Sequence, residues 1–315
     1  MTIKLGVIMD PIGSINFKKD STLAMLLEAQ QRGYDLFYMA QNDLFLSEQK
    51  VKALTSKLSV ANNPENWFSL SDPQTINLSE LDVILMRKDP PFDMNYIFTT
   101  YLLELAEAEG TLVVNNPQSL RDANEKLYTA WFPQCTVPTT VSSQPAQLRD
   151  FIEQQKDVIL KPLDSMGGSS IFHVKQGDAN TNVIIETLTN NFTKPIMAQR
   201  FIPEISLGDK RILIIDGKPV PYALARIPSA TDHRANLAAG GTGKGIELSE
   251  RDYWICEQLA PTLKDKGLIF VGIDVIGDYL TEVNVTSPTC IRELDDQFNI
   301  NISATLMDCI EQKLQ

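Results

Sequence analysis

The sequence predicts a parallel, doubly wound α/β unit followed by an α+β region built mainly from antiparallel strands. Three observations lead there. Apolar runs alternate with helix-like stretches through roughly the first 120 of the 315 residues. After residue 158 the apolar runs become short and closely spaced, separated by turns. Residues 228–245, PSATDHRANLAAGGTGKG, resemble neither pattern.

In the first part, residues 3–9, 34–39, 81–86 and 111–114 read as buried strands. Asp10-Pro11 ends the first of them. Ser21 is placed to cap a helix over 21–32 that stops at Gly33, and 96–109 is a helix closed by Gly110. Strands alternating with helices imply a parallel sheet. The polar stretch 50–78, with its NNPENW and SDPQ turns, reads as an irregular excursion or short hairpin. In the second part, 158–160, 171–174, 196–201, 211–215 and 220–227 suggest a largely antiparallel sheet with few helices, and Gly217-Lys218 signals a hairpin. Residues 228–243 lack large apolar side chains to anchor them and read as a mobile loop or lid, or else a passive insertion. The expected units are 1–122, 123–200 and 201–315.

Composition narrows function. The chain is 43% apolar, ample for a core, and carries a net charge of −12. Such a surface repels nucleic-acid backbones and anionic lipid, so neither is expected as a partner. Four scattered cysteines, without a CxxC pair, make a zinc site or disulfide framework improbable. With only His173 and His233, any metal must use oxygen ligands, and His173 in its apolar run reads as structural. The N-terminus lacks a signal-peptide layout and no apolar run is long enough to span a bilayer, which points to a cytoplasmic protein.

Four segments carry chemistry. In ILKPLDSMGGSS a strand ends in Lys161. Gly167, Gly168 and Ser169 then let backbone N–H groups and hydroxyls approach phosphate oxygens, although an ordinary glycine turn would look the same. It is neither a GxxxxGK[ST] loop nor a GxGxxG turn. In TEVNVTSPT, alternation puts Glu282 and Asn284 on one strand face, a carboxylate and an amide oxygen suited to a hard cation such as Mg²⁺ (or Mn²⁺); a solvated strand face is the alternative. Asp274, inside the apolar run FVGIDVI, is the natural third ligand. A two-residue Gly277-Asp278 turn would turn Asp274 away from Glu282, so a ligand role requires a bulge or an odd-length loop. Asp209 and Arg211 open a strand with a hydroxyl acceptor and a phosphate-neutralising guanidinium, and Asn124-Glu125-Lys126 follows Asn116-Pro117 on a helix. Alone, the last two are common surface patterns.

Taken together, Lys126, Lys161, Gly167-Gly168, Asp209, Arg211, Asp274, Glu282 and Asn284 resemble, in order and spacing, the nucleotide site of the ATP-grasp ligases. Within that superfamily the chain resembles the bacterial glutathione synthetases over almost its whole length. The likeness is carried by LGVIMDPI (5–12), LDVILMRKDPPFD (81–93), NNPQSLRDANEKL (115–127), ILKPLDSMGG (159–168), YALARIP (222–228), RANLAAGG (234–241), GLIFVGIDVIG (267–277) and LTEVNVTSPTCIRE (280–293). Ser165 departs from the glycine frequent in the family. The resemblance implies an ATP-grasp fold and ATP-driven ligation of γ-glutamylcysteine with glycine through an acyl phosphate. It implies ATP contacts from Lys126, Lys161, Gly167, Gly168, Ser169, Gln199 and Asp209, and Mg²⁺ ligands Asp274, Glu282 and Asn284. Arg211, Arg234 and Asn236 would be catalytic, and Arg226, Ser287 and Arg292 would hold substrate. A homotetramer is implied too. Both ligands are anions, so the site must gather Lys and Arg against the global charge. The rival expectations are another ATP-grasp ligase, of the type that joins D-alanines, and a non-catalytic ATP-binding module.

Overall fold

The computed structural model describes residues 2–227 and 242–315. Arg234 and Asn236, with most of the expected lid, lie outside the described residues.

The four strands expected in the first part form in parallel. Lys4–Ile8 lies between Asp35–Met39 and Val83–Met86, and Leu112–Val114 joins beyond the latter. Side chains of Lys4–Ile8 enter two cores: Leu5 and Val7 on one face, Ile8 on the other. That double burial explains why the run is continuously apolar. The first helix, Ser21–Gln31, is capped by Asp20 rather than Ser21, since the Asp20 carboxylate accepts from Leu23 N. Met94–Ala108 is capped by Asp93 in the same way.

Residues 50–78 depart from expectation. Lys50–Val60 is an 11-residue strand pairing antiparallel with Asp35–Met39, Leu44–Ser47, Phe68–Leu70 and Gln74–Asn77. It extends the first sheet instead of looping out. Its burial alternates, with Val51, Ala53, Thr55, Leu58 and Val60 inward.

Among the described residues, the second part holds two antiparallel sheets and five α-helices, more helix than expected. Thr139–Ser142, Ile196–Arg200, Asp157–Pro162 and Phe172–Lys175 pair in that order. This sheet packs Pro145–Gln155 and Thr181–Leu188 around its own core, which includes Leu148, Phe151, Leu160 and Ile185. His173 stacks on Phe201 at 4.0 Å, as befits a structural side chain. The other sheet runs Thr242–Glu247, Lys218–Ile227, Asp209–Ile215, Phe270–Ile276, Tyr279–Asn284. Its helix Glu250–Asp265 starts in a Ser249–Asp252 capping box; Ile291–Phe298 and Ile302–Lys313 follow. Ile212, Val271 and Val283 share a core with Ile8 and Leu103, so this sheet is fused to the N-terminal unit. The Lys218 hairpin turns at Asp216-Gly217, one residue earlier than expected, with both residues at positive φ. Among the described residues, no helix is long and apolar enough to cross a membrane.

Candidate active site

Residues directly opposite in an antiparallel pair share a face. In the five-stranded sheet Arg226 faces Asp209, Arg211 faces Asp274, and Asp274 faces Glu282. Asn284 lies two residues beyond Glu282, opposite Gly272. Six of the sequence-derived candidates therefore form one polar row across one sheet face. The bulge required by the sequence is present. The turn is the two residues Gly277 and Asp278, and the register shifts between Asp274 and Val275, where Thr281 is inserted opposite them. Thr281 Oγ1 donates to the Asp274 carbonyl at 3.1 Å, and the Thr281 carbonyl accepts from Lys161 Nζ at 3.3 Å.

Within the row, the charges pair off. Arg211 Nε donates to Asp274 Oδ1 at 2.5 Å and its Nη2 to Oδ2 at 3.0 Å. Arg226 Nη2 lies 2.8 Å from Asp274 Oδ2 and 2.5 Å from Asp209 Oδ2. All four side chains are buried. Burial alone would push Asp274 up, but two guanidinium groups hold it well below the usual carboxylate range. Asp209 has only a share of Arg226, and burial pushes it up to about 7. Both Asp274 oxygens thus accept from arginine, Oδ1 from Arg211 alone, so a cation there would share the carboxylate with guanidinium groups. Among the described residues, no group of three or more His, Cys, Asp and Glu is placed to hold a metal. Glu282 and Asn284 lie farther along the same row. The Asn284 Nδ2 donates to Gly272 O at 3.1 Å, leaving the amide oxygen for a ligand. Among the described residues Asp209 Oδ1 is a buried acceptor without a partner, a position suited to a ligand hydroxyl.

The two lysines meet this row from separate elements. Lys161 is the last residue but one of the strand Asp157–Pro162; burial pushes its ammonium down while Glu282 draws it up. Lys126 is not on an exposed helix face. It sits in the turn after Pro117–Asp122, 4% exposed, 3.3 Å from Glu282 Oε1 and donating to the Ser165 carbonyl. The Ser165 carbonyl belongs to the glycine turn, where Gly167 (φ 64°) and Gly168 (φ 79°) adopt left-handed backbone and Ser169 N closes on Met166 O at 3.1 Å. A cleft of about 230 Å³ brings together Lys126, Gly167, Arg211, Arg226, Glu282 and Asn284, with Ser287 on its wall.

Other candidates fall elsewhere. Gly168 is buried and Ser169 exposed, both off the cleft wall. The Gln199 amide is spent inside the four-stranded sheet on Thr139 Oγ1, 3.2 Å away. Arg292 lies over the Phe17 ring at 5.0 Å and reaches Asn62 at 3.4 Å, away from the cleft. Glu125, on the wall beside Lys126, was not singled out by the sequence. An acidic residue in a polar turn gives no signal that it faces inward.

Known proteins match both fold and sequence. Solved structures resembling the whole chain include the D-cycloserine synthetase DcsG (TM-score 0.71, 14% identity, covering 99% of this chain and 100% of that one). Another is the ATP-grasp ligase PsnB with its minimal precursor, Mg and ADP (TM-score 0.62, 16% identity, 98% of each). Identity this low speaks for the fold alone, and it is the ATP-grasp fold. Family models described as prokaryotic glutathione synthetase match residues 3–121 (N-terminal domain) and 125–299 (ATP-grasp domain). The glutathione synthetases of Pseudomonas syringae pv. tomato and Escherichia coli are 60% and 59% identical, over 100% and 99% of this chain and 99% of each relative. The chain belongs to the prokaryotic glutathione synthetase family. It uses ATP to form the C–N bond between γ-glutamylcysteine and glycine. The two rival expectations give way to this one.

Proposed function

We propose that ligation runs through an acyl phosphate formed in the cleft between Lys126, Lys161 and the polar row. A carboxylate oxygen is a poor leaving group. The cysteinyl carboxylate therefore attacks the γ-phosphorus of ATP, and ADP leaves. The glycine amine attacks the acyl carbon and loses a proton, and phosphate departs. No protein nucleophile is needed, and catalysis rests on positioning and charge neutralisation. The observation that carries this reading is the convergence of two lysines on one stretch of strand, Lys126 on Glu282 and Lys161 on the neighbouring Thr281 carbonyl.

In this reading Lys126, Lys161 and the Gly167 turn hold phosphates, with Gly168 and Ser169 reached by movement of that turn. Asp209 Oδ1 takes a ribose hydroxyl, and Gln199 begins the segment QRFIP (199–203), whose backbone reads adenine. Arg211 steadies the charge developing on the transferred group. Arg226, Ser287 and Arg292 serve substrate carboxylates, with Arg292 acting from outside the cleft as it now stands. Arg234 and Asn236 close over the intermediate and exclude water. The Asp274 and Glu282 carboxylates and the Asn284 amide oxygen fit a hard cation, Mg²⁺ or Mn²⁺, which when bound would neutralise phosphate charge. Three protein ligands suit a cation that takes its other ligands from phosphates and water. The division at 122 and 200, a cytoplasmic location and a homotetramer belong to the same proposal, supported by the family.

Isotope transfer tests the intermediate. With ¹⁸O in the cysteinyl carboxylate, one label should appear in the released phosphate. Label-free phosphate rules the acyl phosphate out.

A further inference from the structure

Glu125 stands on the cleft wall, yet the reaction above gives it no task. One of its oxygens, Oε1, accepts three hydrogen bonds from a single short segment: Val285 N at 3.0 Å, Thr286 N at 3.1 Å and Thr286 Oγ1 at 2.8 Å. Its backbone carbonyl accepts from Val283 N at 2.8 Å. That segment runs on directly from Asn284 and carries Ser287.

Two more side chains from the N-terminal half grip the same stretch. Asn115 Nδ2 donates to Val285 O at 2.7 Å and to Phe270 O at 2.8 Å. Arg87 Nη2 donates to Pro288 O at 2.8 Å. Both are buried. The distinctive stretches 81–93 and 115–127 thus converge on 283–288, far away in sequence. Of the three side chains, only Glu125 also lines the cleft. A half-buried carboxylate is costly unless its acceptors are used. Here one oxygen is saturated by backbone and hydroxyl donors, so it fixes two successive peptide planes.

We propose that Glu125 is a positioning residue for ligation: its Oε1 fixes the backbone at Val285 and Thr286 and so sets how Asn284 and Ser287 project into the cleft. The inference rests on the reading of Asn284 and Ser287 as site residues.

The test compares Glu125→Ala with Glu125→Gln in the full chain, reading kcat, KM for γ-glutamylcysteine, the melting temperature and the affinity for a non-hydrolysable ATP analogue. The amide oxygen of Gln can replace Oε1, whereas Ala has no acceptor. The Ala variant should lose about 100-fold in kcat. Gln should recover it to within about tenfold, with analogue affinity changed less than about threefold in both. If Ala keeps kcat within about threefold of the parent, or if Gln is as impaired as Ala, the inference is overturned. Should the Ala variant not fold, Thr286→Val removes only the hydroxyl donor. It should lower kcat about three- to tenfold, and less than additively when combined with Glu125→Gln. Additive losses would overturn the proposal as well. Asn284→Ala separates the two layers. Full activity there refutes Asn284 as a site residue, whereas an impaired Asn284→Ala beside an unimpaired Glu125→Ala refutes only the positioning role.

Discussion

Asp274 and Glu282 face each other across neighbouring strands because Thr281 is bulged out of the ladder beside them. The inserted residue performs two tasks. It restores the register that brings the metal-type donors onto the face holding Arg211 and Arg226, and its carbonyl receives Lys161. The nearness of the glycine-turn lysine to the polar row is thus built into one irregularity of backbone.

Deleting Thr281 should leave Glu282 opposite Asp274 in a regular ladder but remove the carbonyl that receives Lys161. We expect kcat/KM to fall at least about 100-fold. Thr281→Val, which keeps the bulge and its carbonyl, should stay within about tenfold. Equal losses in the two variants would refute the role of the bulged carbonyl.

Gly272 lies opposite Asn284, against Arg211. An added Cβ would stand 2.8 Å from Pro288 Cβ and 3.0 Å from Arg211 Cδ. Gly272→Ala should cost about 1–3 kcal/mol, read from denaturant melts, and lower kcat by shifting Arg211. A fully active, fully stable variant would mean the Arg211 side chain has room that the packing denies it.

Asp274→Ala leaves Arg211 and Arg226 buried together without their shared partner. The expected loss of stability is about 3–5 kcal/mol. Adding Arg211→Met should return part of it, since Arg211 is the guanidinium left without a carboxylate while Arg226 keeps Asp209. A double variant less stable than Asp274→Ala would show that the arginine is held by something other than this pairing.

Asp209 makes stability depend on pH. Its carboxyl is raised from the ordinary 3.8 to about 7, chiefly by burial. Between these values the folded chain keeps a proton that the unfolded chain has released. Its contribution is therefore complete below about pH 4 and lost as pH rises through about 7. Subtracting the melts of Asp209→Asn from those of the parent should give a difference that declines over that window. A flat difference would place the Asp209 carboxyl at its ordinary value.

Much of this was legible in the sequence. Four parallel strands declared themselves as apolar runs, and alternation placed Glu282 and Asn284 on one face. The bulge followed from asking how Asp274 could join them. Other parts were hidden for physical reasons. Lys50–Val60 has one exposed face, and its inward side is built partly from Ala53 and Thr55, so its period of two is faint. Lys126 reads as surface because nothing local reveals the Ser165 carbonyl that covers it. That both Asp274 oxygens are taken by arginines depends on side-chain reach across three strands, which alternation cannot supply. The Ser249–Asp252 capping box was readable and marks a helix that strand-like spacing in its neighbours obscured.

The grip of Arg87, Asn115 and Glu125 on residues 283–288 bears on how such chains can be recombined. A crossover near residue 122 falls between the two stretches that the family models match, yet it separates two of the three grips from the stretch they hold. Chimeras of distant relatives joined there would inherit foreign partners for the Pro288 and Val285 carbonyls. Shuffling that exchanges 81–127 and 283–288 as one linked set would keep the interface native, although the two pieces are more than 150 residues apart.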